Sequence, residues 1–146
     1  MKPVHIHFLS FLFLAIAWHS RPAAGITITI DHFHNNKGQV LISLFRDGDG
    51  YPDNPAKAVR KGKTTIMANN KAIIDFSDLP PGKYAAVVLH DENSNLKMDK
   101  NWIGLPKEGY GFSNNVMGTF GPPSFSKASF EHTVNTQTSI TIKLRY

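Results

Sequence analysis

After residue 24, apolar side chains recur at every second position along much of the chain, and that period constrains the fold more than any other feature. In "GITITIDHF", Ile26, Ile28 and Ile30 share one face while Thr27 and Thr29 take the other, as in a strand with one buried side. "QVLISLFR", "TTIMA", "AIIDFS", "KYAAVVLH", "ASFEHTV" and "TSITIKLRY" follow as further strand segments, the last with Ile140, Ile142 and Leu144 inward. Tyr84 to Leu89 is apolar on both faces, which predicts a central strand covered on both sides. No window in this region carries a 3.6-residue apolar stripe. Seven short strands with frequent turn signals predict a single all-β domain, an antiparallel β-sandwich.

The turn chemistry agrees. Asn35–Gly38 and Asn69-Asn70 suit tight hairpin turns, because Asn and Gly tolerate positive φ. Pro81-Gly82 fits the two central positions of a type II turn. If strands alternate direction, the loop after the second strand, at Asp47, and the loop after the fifth, at Asp91, lie at opposite ends of the sandwich.

The first 24 residues read differently. Lys2 precedes an apolar run from Phe8 to Trp18, and the small residues Ala23 and Ala24 follow. This order predicts a signal peptide over 1–24, cut near Ala24, and a domain over 25–146; Pro22, where a small residue is preferred, leaves open a cut a few residues away or a non-cleaved anchor. The run is too short to span a bilayer as a helix, so the mature chain is expected to have no transmembrane segment. Its removal takes away Lys2 and Arg21, leaving 14 cations against 11 acids, a net charge of +3. Lys57, Arg60, Lys61 and Lys63 form the one basic cluster, which reads as a solvated surface and not as a nucleic-acid stripe. There is no cysteine, so a hydrophobic core must hold the remaining residues. Cysteine-free export suits a bacterial periplasm or secretion.

Two long segments, Asp47–Gly62 and Asp91–Ser124, lack strand patterns. The second contains Trp102, Tyr110, Phe112 and Phe120, too apolar for disorder, and is expected to pack as an ordered cap. Within it Asp91, Asn93, Asn95, Lys97 and Asp99 alternate. Their spacing matches the first half of an EF-hand calcium loop, in which the Lys97 position gives only its carbonyl. Leu96 stands where that loop has glycine and Trp102 where it has its closing Glu, a role that leaves Glu108 as a further candidate ligand. Two readings stay open: a weak Ca²⁺ site, or an ion-free loop of Asx turns. Asp47, Asp49 and Asp53 repeat a fragment of the spacing and read as a solvated turn. His32 and His34 share a strand face without a third zinc ligand nearby.

The stretch "LPPGKYAAVVLHDENSNLKMDKNWIGLPKEGYGFSNN", followed by "GPPSFSKASF" and preceded by Gly50-Tyr51-Pro52, strongly resembles an exported bacterial family, domain of unknown function 2141. The resemblance spans essentially the whole chain after residue 24. It implies a β-sandwich of Ig-like or transthyretin-like appearance with no established activity. Many members have glycine where this chain has Leu96, a departure that weakens the metal reading.

Two functions are therefore expected to compete. One is a non-enzymatic periplasmic or cell-surface binding module. Its Trp102, Tyr110 and Phe112 present an aromatic surface to a carbohydrate or peptide. The other is a hydrolase using His90, Asp91 and Glu108 as acid and base. Neighbours in a strand point to opposite faces, so His90 and Asp91 are not an automatic dyad, and His90 reads best as a buried, hydrogen-bonded residue.

Overall fold

The computed structural model describes residues 24–146, so the segment expected to direct export lies outside the described residues. Two sheets face each other. The first has strand order β4-β1-β8, from β1 (Gly25–Asp31), β4 (Ala72–Ser77) and β8 (Gln137–Lys143). The second has order β3-β2-β5-β6, from β2 (Gln39–Arg46), β3 (Arg60–Thr64), β5 (Gly82–Asp91) and β6 (Gly109–Phe112), with β7 (Phe130–His132) also on β5. The predicted sandwich is present, and its alternation works as expected. Ile26, Ile28 and Ile30 are buried against Val40, Ile42 and Leu44 of β2, with Val88 of β5 and Ile142 of β8 in the same core.

Several local expectations change. Asn35–Gly38 does not close a hairpin, because β1 and β2 belong to different sheets. The chain instead crosses between layers there, with Gly38 at φ 68°, where a Cβ would collide with the Asp91 carbonyl. The strand expected at Thr64–Ala68 lies earlier, at Arg60–Thr64. The Asn69-Asn70 turn does form, with Met67 N–H donating to the Lys71 carbonyl, but β3 and β4 splay from it into separate sheets. Gly82 has φ 157° and opens β5 instead of sitting in a type II turn. One ladder is parallel, β1 with β8, while the others are antiparallel. An eighth strand, β6, pairs with β5.

The register fixes where the loops lie. β2 and β5 pair from Gln39↔Asp91 to Arg46↔Tyr84. The two acidic loops therefore leave opposite ends of this ladder, roughly 23 Å apart at 3.3 Å per residue, as the strand parity predicts.

Only half of the outer face of the second sheet is covered. At the Arg46 end a four-residue helix, α1 (Phe125–Ala128), and Tyr51 pack over Phe45 and Ala85. Ser113, fully buried, fastens this cap by accepting the Ala86 N–H and donating to the Ala128 carbonyl at 2.6 Å. At the other end the strand expected to be doubly covered is not, and Val87 and Leu89 remain half-buried.

Candidate functional site

The acidic loop 91–99 is built as its spacing suggests. Asp91, Asn93, Asn95 and Asp99 converge, and the residues between them include Ser94 and Leu96 at φ 61° and 65°. Leu96 thus adopts the left-handed turn that glycine would supply more easily. What the converging oxygens meet is N–H. Asp91 Oδ1 accepts from Asn95 N at 3.0 Å, and Oδ2 accepts from Leu96 N at 2.9 Å and Gln39 Nε2 at 2.7 Å. Asp99 accepts the side-chain amides of Asn93 and Asn95, at 2.6 and 3.1 Å. Asn95 Oδ1 accepts the Lys97 amide at 2.8 Å, and the Lys97 side chain is exposed. Among the described residues, no three His, Cys, Asp or Glu side chains are grouped as metal ligands.

Glu108 is 4% exposed and bridges the loop's shoulders, accepting Glu92 N at 2.9 Å and Asp99 N at 3.0 Å. Burial raises the pKa of the fully buried Asp91. The hydrogen bonds from Gln39 and from the Leu96, Asn95 and Ser94 amides outweigh it, and the carboxyl sits below its ordinary value.

His90 points the other way, into the core, with no exposed surface. Its Nε2 lies 2.8 Å from the Lys37 carbonyl, which can only accept, so Nε2 carries the proton. Nδ1 then accepts from the Tyr146 hydroxyl at 2.7 Å, and that hydroxyl accepts the His34 amide. Both ring nitrogens are spent. His90, Asp91 and Glu108 therefore do not meet in an open cleft, and none of them lines the groove described below. His34 stacks on Tyr146 and His32 bonds Asp31. Asp49 pairs with Lys57 at 2.8 Å on the surface.

Between the cap, the 91–108 loop and residues 117–122 runs a groove of about 1120 Å³. Its floor is two cross-strand rows, Leu41–Leu89–Tyr110 and Lys61–Ser43–Val87–Phe112, read directly from the register. Lys97, Lys100 and Asp53 also line it. The three aromatics expected to share one surface are separated. Tyr110 and Phe112 line the groove, with Phe112 largely buried in the outer cluster, whereas Trp102 projects into solvent away from it. Sequence reasoning missed Gln39, Tyr146 and Leu41. Gln39 and Tyr146 carry no local pattern, and the Leu41–Leu89 row becomes visible only once β2 and β5 are paired.

A family model described as an uncharacterised protein conserved in bacteria, DUF2141, matches residues 28–141. Comparison with curated proteins finds no match. Among solved structures, the chain is similar to a fimbrial assembly protein from Parabacteroides distasonis ATCC 8503. That match has 10% identity and a TM-score of 0.43, covering 84% of this chain and 53% of that one. The chain thus spans about half the length of that protein.

Proposed function

The chain belongs to the bacterial family of uncharacterised proteins known as domain of unknown function 2141, and from that premise we propose that it is an exported, non-enzymatic binding module. Its ligand seats in the groove over β2, β5 and β6. One observation carries this reading: the outer face of a central strand is apolar at Val87 and Leu89, yet no part of the described chain covers it fully. Water against that strip is released when an apolar ligand replaces it.

The floor also selects the ligand. A sugar platform uses a flat aromatic face with polar groups beside it, whereas here Tyr110 stands at one end of its row, Phe112 is largely buried, and the middle of the floor, Leu41, Val87 and Leu89, is aliphatic. An extended peptide with apolar side chains fits better than a carbohydrate. The hydrolase alternative finds its three residues buried and hydrogen-bonded.

Backbone NMR during titration with a short Leu/Val/Phe peptide tests the proposal. Shifts concentrated at Leu41, Ser43, Val87, Leu89 and Tyr110 are expected. Shifts confined to the first sheet, or none at all, would count against it.

A further inference from the structure

We propose that the Asn101–Leu105 turn is a docking tip that inserts into the headgroup region of an anionic phospholipid bilayer. This does not rest on the groove having a ligand. Trp102 is 95% exposed, and Ile103 and Leu105 are each 55% exposed. Single exposed apolar residues are ordinary, but a contiguous group held out in water marks a contact surface. Phe120, 101% exposed, stands on the lip of the groove that Leu105 also borders.

The turn is built to leave water at low cost. Asn101 N–H donates to the Leu105 carbonyl at 2.8 Å, and Gly104 N–H donates to the Asn101 carbonyl at 2.9 Å. Asn101 Oδ1 accepts the amides of Ile103 and Leu105, at 3.1 and 2.9 Å. Four of the turn's five backbone amides, those of Asn101, Ile103, Gly104 and Leu105, are thus partnered within the turn, which lowers the cost of leaving bulk water for the headgroup region. The base of the tip is also fixed, because Lys107 N–H bonds the Asp99 carbonyl and Glu108 holds the Asp99 amide.

The charges are sorted by sign. Lys97, Lys100 and Lys107 flank the tip, are exposed, and make no ion pair among the described residues. Of the acids interleaved with them, Glu108 is buried and accepts the Glu92 and Asp99 amides, while the half-exposed Asp99 accepts the side-chain amides of Asn93 and Asn95. The tip therefore presents apolar side chains flanked by three exposed lysines against one half-exposed acid. Tryptophan favours the headgroup interface, and each lysine near an anionic surface adds about a five-fold gain in affinity. No helix among the described residues is long and apolar enough to cross a membrane. A second copy of the chain is the weaker occupant, since a stable dimer needs about 800 Å² per partner and a convex turn offers little flat area.

The test uses residues 25–146, the domain expected to remain after export, in which Trp102 is the only tryptophan. Vesicles of phosphatidylcholine with phosphatidylglycerol should shift Trp102 emission to the blue, and acyl-brominated lipid should quench it. Ile103→Ser with Leu105→Ser should abolish the quenching. Lys97, Lys100 and Lys107 changed together to Gln should weaken binding about a hundred-fold, towards that for phosphatidylcholine alone. The proposal is overturned if Trp102 stays water-like while the chain co-sediments with vesicles. Equal binding to neutral vesicles also overturns it. So does a blue shift that grows with protein concentration in the absence of lipid, which would assign the tip to a second copy.

Discussion

The Tyr146 hydroxyl lies 2.7 Å from Nδ1 of His90, so Tyr146 is fastened to the Asp91 end of β5 through a fully buried imidazole. Gly109, opposite His90 in the β5–β6 ladder, makes room for the Tyr146 ring, since a Cβ there would collide with it. His90→Gln, which cannot reproduce both bonds in the same plane, is expected to lower stability by about 1–3 kcal/mol, and Tyr146→Phe by about 1 kcal/mol. Urea denaturation of both variants checks this. A His90 variant of unchanged stability would show that the two hydrogen bonds contribute nothing.

Asp91 carries the acid sensitivity of the loop. Its pKa is lowered in the folded state relative to the ordinary 3.8, so its contribution is complete above that value. The contribution is lost as pH falls from about 3.8 through the lower folded value. Asp91→Asn sets an amide donor against N–H groups and should cost about 1–3 kcal/mol at neutral pH. It should also flatten the acid limb of the stability curve. Chemical denaturation from pH 2 to 7 measures both effects, and an acid limb identical in the variant would assign the sensitivity elsewhere.

Much of this was legible in the sequence, and the failures have local causes. The Ile-Thr alternation of β1 identifies its buried face, and strand parity places the two acidic loops at opposite ends. β6 escapes because Gly109 and Gly111 occupy its inward positions, so "GYGF" shows no apolar period; Ile142 and Tyr146 fill the space those glycines leave. β3 is an edge strand reading "RKGKT", and edge strands protect themselves with cations instead of alternating. In the acidic loop, spacing identifies which side chains converge. It does not reveal that backbone amides and Gln39, distant in sequence, supply the groups they converge on.

Calcium follows from the same geometry. An ion at Asp91–Asp99 would have to displace N–H donors from Asp91 Oδ1, Asp91 Oδ2 and both Asp99 oxygens. We expect millimolar CaCl₂ and chelator to leave the melting temperature unchanged. A rise near 2.7 kcal/mol equivalent at about 100 times Kd would show that the loop rearranges around the ion.

Tyr51 packs in the outer cap, and its hydroxyl is buried without a hydrogen-bond partner. Burial first, and the charge of Asp53 second, push its pKa up. Tyr51→Phe removes an unsatisfied group while keeping the ring contacts with Phe45 and Phe125. It should raise stability by about 1 kcal/mol. A loss of stability in thermal or urea unfolding would mean that the hydroxyl has a partner.

The groove over the second sheet is the centre of the account, and one titration addresses it directly. The probe 1-anilinonaphthalene-8-sulfonate has an apolar body for Leu41, Val87 and Leu89, and an anionic group for Lys61, Lys97 or Lys100. It should bind the native protein at one site, with an emission increase at neutral pH. Leu89→Gln, on the half-exposed outer face, should fold with nearly unchanged stability and bind the probe at least ten-fold more weakly, a difference of about 1.4 kcal/mol. Equal probe affinity in wild type and Leu89→Gln, with both folded, would contradict the account.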